Sequence, residues 1–135
     1  MTGMFGSMEI AGSGLRTTRK WMDAVSDNLA NLNTAARTDG EAFRSRMVLA
    51  RAESYGSPEG VRVTGAALGS REGRLVSDPT HALADADGMV RMPDMDMGEQ
   101  MTQLIIAQRA YQVNINVIER ARDAYTAALS LGRRT

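Results

Sequence analysis

The sequence predicts a mainly α-helical protein in which two long helices, one at each end of the chain, pack as a coiled-coil-like hairpin beside a small middle segment. Three observations lead to this prediction. Apolar residues recur at alternating spacings of three and four near both ends, which is the pattern of packed helices. Aromatic residues make up only 4% of the 135 residues, whereas Met and Ala are plentiful, and this composition suits helix–helix packing. Glycine and proline are concentrated between the two patterns, where they favour turns and short strands.

The N-terminal region, residues 1–34, is predicted to form the first helix. Ser7 is its candidate N-cap, and Gly12 and Gly14 weaken the first turns by about 1 kcal/mol each relative to alanine. The helix ends in DNLANLNT, where three asparagines compete for backbone hydrogen bonds and favour an exit from the helix. The heptad positions are Met8, Ala11, Leu15, Thr18, Met22, Val25, Leu29 and Leu32.

The middle region, residues 35–95, is punctuated by glycine and proline and is expected to be irregular or built from β-hairpins. Four short stretches have the composition of strands: residues 43–50, 60–64, 73–76 and 89–92.

The C-terminal region, residues 96–135, is predicted to be a single long helix. Asp96 and Glu99 have the spacing of a capping box, and Gly132 is a natural residue to follow the helix end. Two apolar stripes lie on roughly opposite sides of this helix, so both sides require a partner.

One stripe is expected to pack against the first helix within the chain, and the other against a partner from outside. The predicted intrachain contacts are Leu15, Met22, Val25 and Leu29 against Leu104, Tyr111, Ile115 and Ile118. The predicted subunit interface consists of Asn28 and Asn31 together with Ile106, Ala110, Val113, Val117 and Ala121.

Polar residues interrupt these stripes at Thr18, Gln108, Asn114 and Asn116. Two interpretations stay open for them. They are either solvated, or they set the register between packed helices as a buried asparagine does in a coiled coil.

The composition argues against several classes of function. Sixteen basic and sixteen acidic residues give no net charge, whereas nucleic-acid-binding domains are usually basic. Cysteine is absent from the sequence, so no disulfide, thiolate metal site or cysteine nucleophile is expected. The N-terminus has no signal-peptide pattern, and no stretch approaches the roughly 18 apolar residues of a membrane span. By these rules alone a soluble, cytoplasmic chain without direct membrane insertion is expected.

No constellation of residues predicts catalysis, a metal or a cofactor. The DADG stretch at residues 85–88 resembles part of a calcium loop, but Leu83 and Asp94 stand where that loop needs an acid and a bidentate glutamate, so a turn is predicted instead. His81 has no triad partner in sight, and a structural or surface role is predicted for it. The chain is therefore predicted not to be an enzyme.

Three stretches resemble a known family. GSGLRTTRKWMDAVSDNLANLNT (12–34) is similar to the signature of bacterial flagellar axial proteins, with its Ser-x-Leu start and Asn-Leu-Ala-Asn-x-x-Thr end. DPTHALADADGMVRMPDMDMGEQM (78–101) resembles a more selective signature, that of the proximal rod subunit family FlgC. IAQRAYQVNINVI (105–118) resembles the Arg-x-Tyr-Gln-x-Asn helix segment of the same family. The chain departs from the usual pattern at Met89, Asp94-Met95 and Ala82, where the family usually has Tyr, Asn-Val and Pro.

This resemblance implies a structural subunit of the flagellar basal-body rod, the driveshaft that transmits torque from the motor to the hook. It implies a helical, tubular, multi-subunit assembly, located in the periplasmic part of the basal body and reached by type III export without a cleaved signal. The implied partners are the other proximal rod subunits, the MS-ring and export-gate side, and the distal rod. The alternatives are another flagellar rod or hook paralogue and a soluble helical adaptor or chaperone.

Overall fold

The two longest elements of the protein are helices at the two ends of the chain. The computed structural model describes residues 3–54 and 58–133. Helix α1 spans Met4–Ala30 and helix α2 spans Met97–Gly132. At a rise of 1.5 Å per residue they are about 40 Å and about 54 Å long. The prediction of a mainly α fold with a small β segment between two long helices is confirmed.

Helix α1 begins earlier than its sequence pattern predicts. Gly3 is the N-cap, and the backbone N–H of Ser7 already donates to the Gly3 carbonyl at 3.1 Å, so the predicted cap at Ser7 is wrong. The Phe5 ring lies edge-on against the Tyr125 ring of α2, with the ring centroids 5.6 Å apart. This contact supports a first turn that has poor helix propensity of its own.

The ends of α2 are set by different residues. The carboxylate of Asp96 accepts a hydrogen bond from the Glu99 backbone N–H at 2.8 Å, which confirms the Asp96 half of the predicted capping box. Among the described residues the Glu99 side chain does not return the bond to the Asp96 N–H. At the other end, Gly132 still belongs to the helix and Arg133 is the C-cap, with a right-handed backbone conformation. The predicted glycine cap is therefore wrong, because no left-handed residue is needed where α2 ends.

Strands β1 (Arg46–Ser54) and β2 (Pro58–Leu68) form an antiparallel hairpin. The pairing register runs from Arg46 opposite Leu68 to Ser54 opposite Pro58, with register shifts after Leu49 and after Glu53. Strand β1 begins three residues later than the strand predicted at 43–50. Both strands extend further toward the turn than their sequence patterns predict, because each strand satisfies the backbone groups of the other. The hairpin packs along α1.

Strands β3 (Arg74–Ser77) and β4 (Met89–Met92) form a second antiparallel pair. Gly73 precedes β3 with a positive φ of 57°, and a side chain there would collide with the Met92 carbonyl oxygen. The strand predicted at residues 73–76 is therefore shifted by one residue, whereas the strand at 89–92 is confirmed. Ala36 bridges to Arg91 through two backbone hydrogen bonds, which joins the segment after α1 to this sheet.

The protein exposes more surface than its mass leads one to expect. Its accessible surface is 9332 Å², whereas a compact monomer of this mass exposes about 6,900 Å². The fold is elongated, and much of its apolar surface lies outside the core. Within the described residues, no helix combines the length and apolarity that crossing a membrane requires. Among the described residues the buried apolar side chains are Ala11, Val25, Leu32, Ala42, Val90, Pro93 and Ala107.

Candidate assembly interface

The two helices run antiparallel, as three contacts along their length show. The Asn28 side chain donates to Oε1 of Gln100 at 2.9 Å, and Gly14 lies against the Asn114 side chain. Phe5 meets Tyr125 further along. In each of these pairs the two residue numbers add up to about 128, so the register between the helices is constant. By this register the start of α1 lies opposite the residues near 124, and α2 continues beyond it to Gly132.

The most buried line on α1 includes small and polar residues. Its buried members are Ala11, Gly14, Thr18, Val25 and Asn28, spaced by three, four or seven. Ala11, Thr18 and Val25 belong to the predicted line, but Gly14 and Asn28 are buried in place of their neighbours Leu15 and Leu29, which are half-buried, as is Met22. Close helix contact therefore follows the small side chains, and the large ones lie along its flank.

Gly14 packs tightly against α2. A Cβ atom built on Gly14 would lie 2.6 Å from Oδ1 and 2.7 Å from Nδ2 of Asn114. The Asn114 amide is held in place because its Nδ2 donates to the Ala110 carbonyl at 2.9 Å. Of the two interpretations of Asn114, the structure favours the one that sets the helix register. Gln108 and Asn116 are exposed, so they are solvated in the isolated chain.

Ser13 fastens the β1–β2 hairpin to α1. Its hydroxyl donates to the Ile10 carbonyl at 2.6 Å and accepts from the Val61 backbone N–H at 2.9 Å. Gly60 has a φ of 119°, and a side chain at this position would collide with Ser13. The Gly-Ser-Gly stretch at residues 12–14 is therefore a packing element that serves both the hairpin and α2.

Asn28 is an intrachain residue, which corrects its predicted place at the subunit interface. It is 2% exposed, and its amide makes hydrogen bonds of 2.9 Å with both the N–H and the carbonyl of Arg46 and with Gln100. It thus joins α1, the start of β1 and α2. The neighbouring Asp27 forms an ion pair with Arg46 at the same junction.

Asn31 keeps an accessible side chain. Its Nδ2 donates to the Asp27 carbonyl at 2.9 Å, and its Oδ1 accepts from the Thr34 hydroxyl at 3.2 Å. These bonds close the last turn of α1. The predicted contact of Asn31 with another subunit stays a prediction.

The residues predicted for intrachain packing differ in burial. Val25 is buried, whereas the other seven are half-buried in the single chain. The seven are Leu15, Met22, Leu29, Leu104, Tyr111, Ile115 and Ile118.

We call the stripe that is predicted to face another subunit the outer stripe. It consists of Ile106, Ala110, Val113, Val117 and Ala121. Ile106, Val113 and Val117 are 46%, 59% and 39% exposed. Ala110 and Ala121 are half-buried, because they lie closer to the contact with α1.

A second open apolar surface lies on the side of α2 away from the outer stripe. Met97, Met101 and Ile105 recur every four residues and are about half exposed. By helical position they neighbour the half-buried flank of α1 that contains Met22 and Leu29. Methionine adapts to irregular partners, so this surface suits contact with more than one neighbour.

Sequence reasoning missed Ala107, Ser13 and Gly14 as packing residues. Ala107 is fully buried, with 0% exposure, and it replaces the exposed Gln108 in the predicted stripe. A stripe that runs from Leu104 through Ala107 to Tyr111 has spacings of three and four, just as a stripe through Gln108 has spacings of four and three. The small size of Ala107 and Gly14 was the available signal, because close helix approach requires small side chains.

The DADG stretch forms a turn, as predicted. The Gly88 N–H donates to the Asp85 carbonyl at 3.0 Å, and Gly88 has a φ of 73°. The Asp85 carboxylate accepts from the Met89 and Asp87 N–H groups and the Thr38 hydroxyl, and the Met89 bond, the largest cause, holds its pKa below the usual value.

His81 lies in the same loop. Its Nδ1 accepts from the Leu83 N–H at 3.0 Å, which is a local structural role.

Two family models match the chain, and both describe rod proteins of the flagellar basal body. "Flagella basal body rod protein" matches residues 8–35, and "Flagellar basal body rod FlgEFG protein C-terminal" matches residues 86–131. These ranges cover most of α1 and most of α2. The two packed helices therefore define the class of protein, that of flagellar rod proteins.

Comparison with curated relatives shows to which family of flagellar rod proteins the chain is similar. The chain is 32% identical to the flagellar basal-body rod protein FlgC of Salmonella typhimurium, over 93% of this chain and 95% of the relative. It is 31% identical to FlgC of Bacillus subtilis, covering 96% and 98% of the two chains, and 28% identical to FlgC of Borreliella burgdorferi, covering 96% and 97%. The chain belongs to the FlgC family of flagellar basal-body rod proteins, and it is a structural rod subunit.

Proposed function

We propose that this chain builds the proximal rod by lateral packing of its terminal helices, and that the rod so formed transmits torque from the motor to the hook. The observation that carries this proposal is the apolar surface that the single chain leaves open. Large apolar side chains of α2 are exposed along almost its whole length, from Met97 to Leu131. A stable isolated protein rarely leaves such extended apolar surface uncovered.

The outer stripe is the surface that we assign to a neighbouring subunit. Exposure of Ile106, Val113 and Val117 supports this assignment, and Ala110 and Ala121 beside them allow a second helix to come close. Many small contacts along a helix add up to a stiff joint, which is the property that a driveshaft requires. The mechanism is mechanical, and no catalytic residue is assigned.

The family also indicates where the protein works and which partners it has. Rod membership indicates the basal body and assembly with other rod components. Within it, we assign the chain to the periplasmic part, reached by type III export without a cleaved signal. Its proposed neighbours are the other proximal rod subunits, the MS-ring and export-gate side, and the distal rod.

Val113→Glu tests the outer stripe. Val113 is exposed, so the variant is expected to fold normally, but its carboxylate would be buried without a partner in the assembled rod. In cells whose only copy carries this change, we expect loss of swimming and loss of the subunit from purified basal bodies.

Gln112→Glu is the matched control, because it adds the same charge one residue away and off the stripe. Ala121→Glu is a weaker test, since Ala121 is half-buried and the change would also disturb the contact with α1. Normal swimming and normal rods with Val113→Glu would refute the assignment of this stripe.

A further inference from the structure

Charge is segregated along this electrically neutral chain. Residues 78–99 contain six carboxylates and a single arginine. Five of these carboxylates are exposed, and we call this group the acidic end: Asp85, Asp87, Asp94, Asp96 and Glu99. Within the described residues none of the five forms an ion pair with a basic side chain.

A cleft of opposite charge lies between the outer side of α1 and strand β2. It has a volume of about 270 Å³, and Arg16, Lys20 and Arg62 line it with one carboxylate, that of Glu53. Glu53 forms an ion pair with Arg62, whose Nε lies 2.9 Å from the Glu53 Oε1. Arg16 and Lys20 are exposed and form no ion pair with a described residue, so this cationic cleft keeps unbalanced positive charge.

Two further arginines raise the potential around the cationic cleft. Arg19 precedes Lys20 on the exposed part of α1, and Arg51 stands directly opposite Arg62 in the hairpin register. Neither forms an ion pair within the described residues. Adjacent like charges repel each other, so an acidic partner would relieve this repulsion as well as add attraction.

The acidic end does not reach the cleft of its own chain. Asp94, Asp96 and Glu99 lie around the start of α2, where Gln100 contacts Asn28, and Asp85 and Asp87 lie in the loop before β4, whereas the cleft lies beside residues 16–20 of α1. Between eight and twelve residues of helix separate the two, which corresponds to about 12–18 Å along α1. This exceeds the Debye length of about 8–10 Å at physiological salt.

We propose that the cationic cleft of one subunit receives the acidic end of a second copy of this chain. The inference rests on the proposed function as an assembly subunit, and it adds a specific contact outside the outer stripe. Because the two surfaces differ, the contact is heterologous, and such a contact generates an open helical row rather than a closed dimer. The separation of the surfaces implies that successive copies are displaced along the helix axis by the same distance of about 12–18 Å.

Charge exchange between two variants tests the proposal. Arg16→Glu/Lys20→Glu reverses the cleft, and Asp87→Lys/Asp94→Lys reverses the acidic end without touching the helix cap at Asp96. Self-association of the purified full chain is measured by sedimentation velocity at several salt concentrations. Each variant alone is expected to associate about tenfold more weakly at low salt, since exposed ion pairs contribute modestly. An equimolar mixture of the two variants is expected to regain association.

Arg122→Glu/Arg133→Glu is the control, because it reverses two exposed arginines near the end of α2, remote from both the cleft and the acidic end, and it is expected to associate as the wild type does. The proposal is overturned if the wild type does not self-associate, if its association is insensitive to salt, or if the mixture recovers nothing. Presence of the cleft variant in basal bodies separates the two claims. If the cleft variant assembles into basal bodies while Val113→Glu does not, the proposed contact between the cleft and the acidic end is refuted, and the assignment of the outer stripe stands.

Discussion

At the scale of single residues, the helix pair is organised around the smallest side chains. Gly14 and Ala107 are buried, while the larger Leu15 beside the first is half-buried and Gln108 beside the second is exposed. Heptad spacing alone did not distinguish these neighbouring positions. A glycine that looks like a weakness in an isolated helix is required here by the Asn114 amide opposite it.

Gly14→Ala is therefore expected to destabilise the protein although alanine favours helices. The added Cβ would lie within 2.8 Å of the Asn114 amide, which must move and lose its bond to Ala110. We expect the free energy of unfolding to fall by about 1–3 kcal/mol, measured by urea denaturation.

Gly12→Ala is the matched control for this change. A Cβ on Gly12 would meet only the end of the Arg16 side chain, at 3.8 Å, so the variant is expected to gain about 0.5–1 kcal/mol. Asn114→Ala should restore part of the loss caused by Gly14→Ala. Equal effects of the two glycine substitutions would show that Asn114 does not set the helix register.

At the scale of elements, polar side chains of α1 fix where the rest of the chain attaches. Ser13 binds the backbone of β2 near the hairpin turn, and Asn28 binds the backbone of β1 at its start. The hairpin is thus held to α1 at two points about fifteen residues apart, which is about 22 Å along the helix. Through Gln100, Asn28 also fixes the start of α2.

Asn28→Ala is expected to loosen this junction. It leaves the N–H and carbonyl of Arg46 without their partner in a partly buried place, and each such group costs about 1–3 kcal/mol. We expect a lower thermal midpoint and faster amide exchange in β1.

Asn31→Ala removes only bonds within its own turn, so the isolated chain should keep its stability while assembly weakens. A stable Asn28→Ala variant would contradict the role of this residue as the junction.

At the scale of the whole molecule, the isolated chain is an incomplete structure. Every described side chain of α2 beyond Ala121 is exposed, and α2 extends past the first turn of α1. The excess accessible surface and the exposed apolar stripes have the same origin, because two helices and a thin hairpin enclose little volume. Neighbouring subunits complete the burial in the assembly that we propose.

Hydrogen exchange can measure this dependence on assembly. In the isolated chain we expect fast exchange of backbone amides in residues 122–132 and slower exchange in residues 103–118, which lie against α1. In assembled rods both stretches are expected to exchange slowly, because neighbours restrict local opening. Strong protection of residues 122–132 in the monomer would contradict this expectation.

The sequence by itself determined the fold class, the two long helices, the cap at Asp96, the β4 strand and the family. These features depend on local propensity, on repeated spacing or on short motifs, and all of these are written directly in the residue order. Only the tertiary structure decided that Asn28, Gly14 and Ala107 are buried, and that the acidic end and the cationic cleft lie apart. Those properties depend on the rotation of each helix about its axis. Two rows of residues that differ by one position lie about 100° apart around the helix and have the same heptad spacing, so the spacing alone does not show which row is buried.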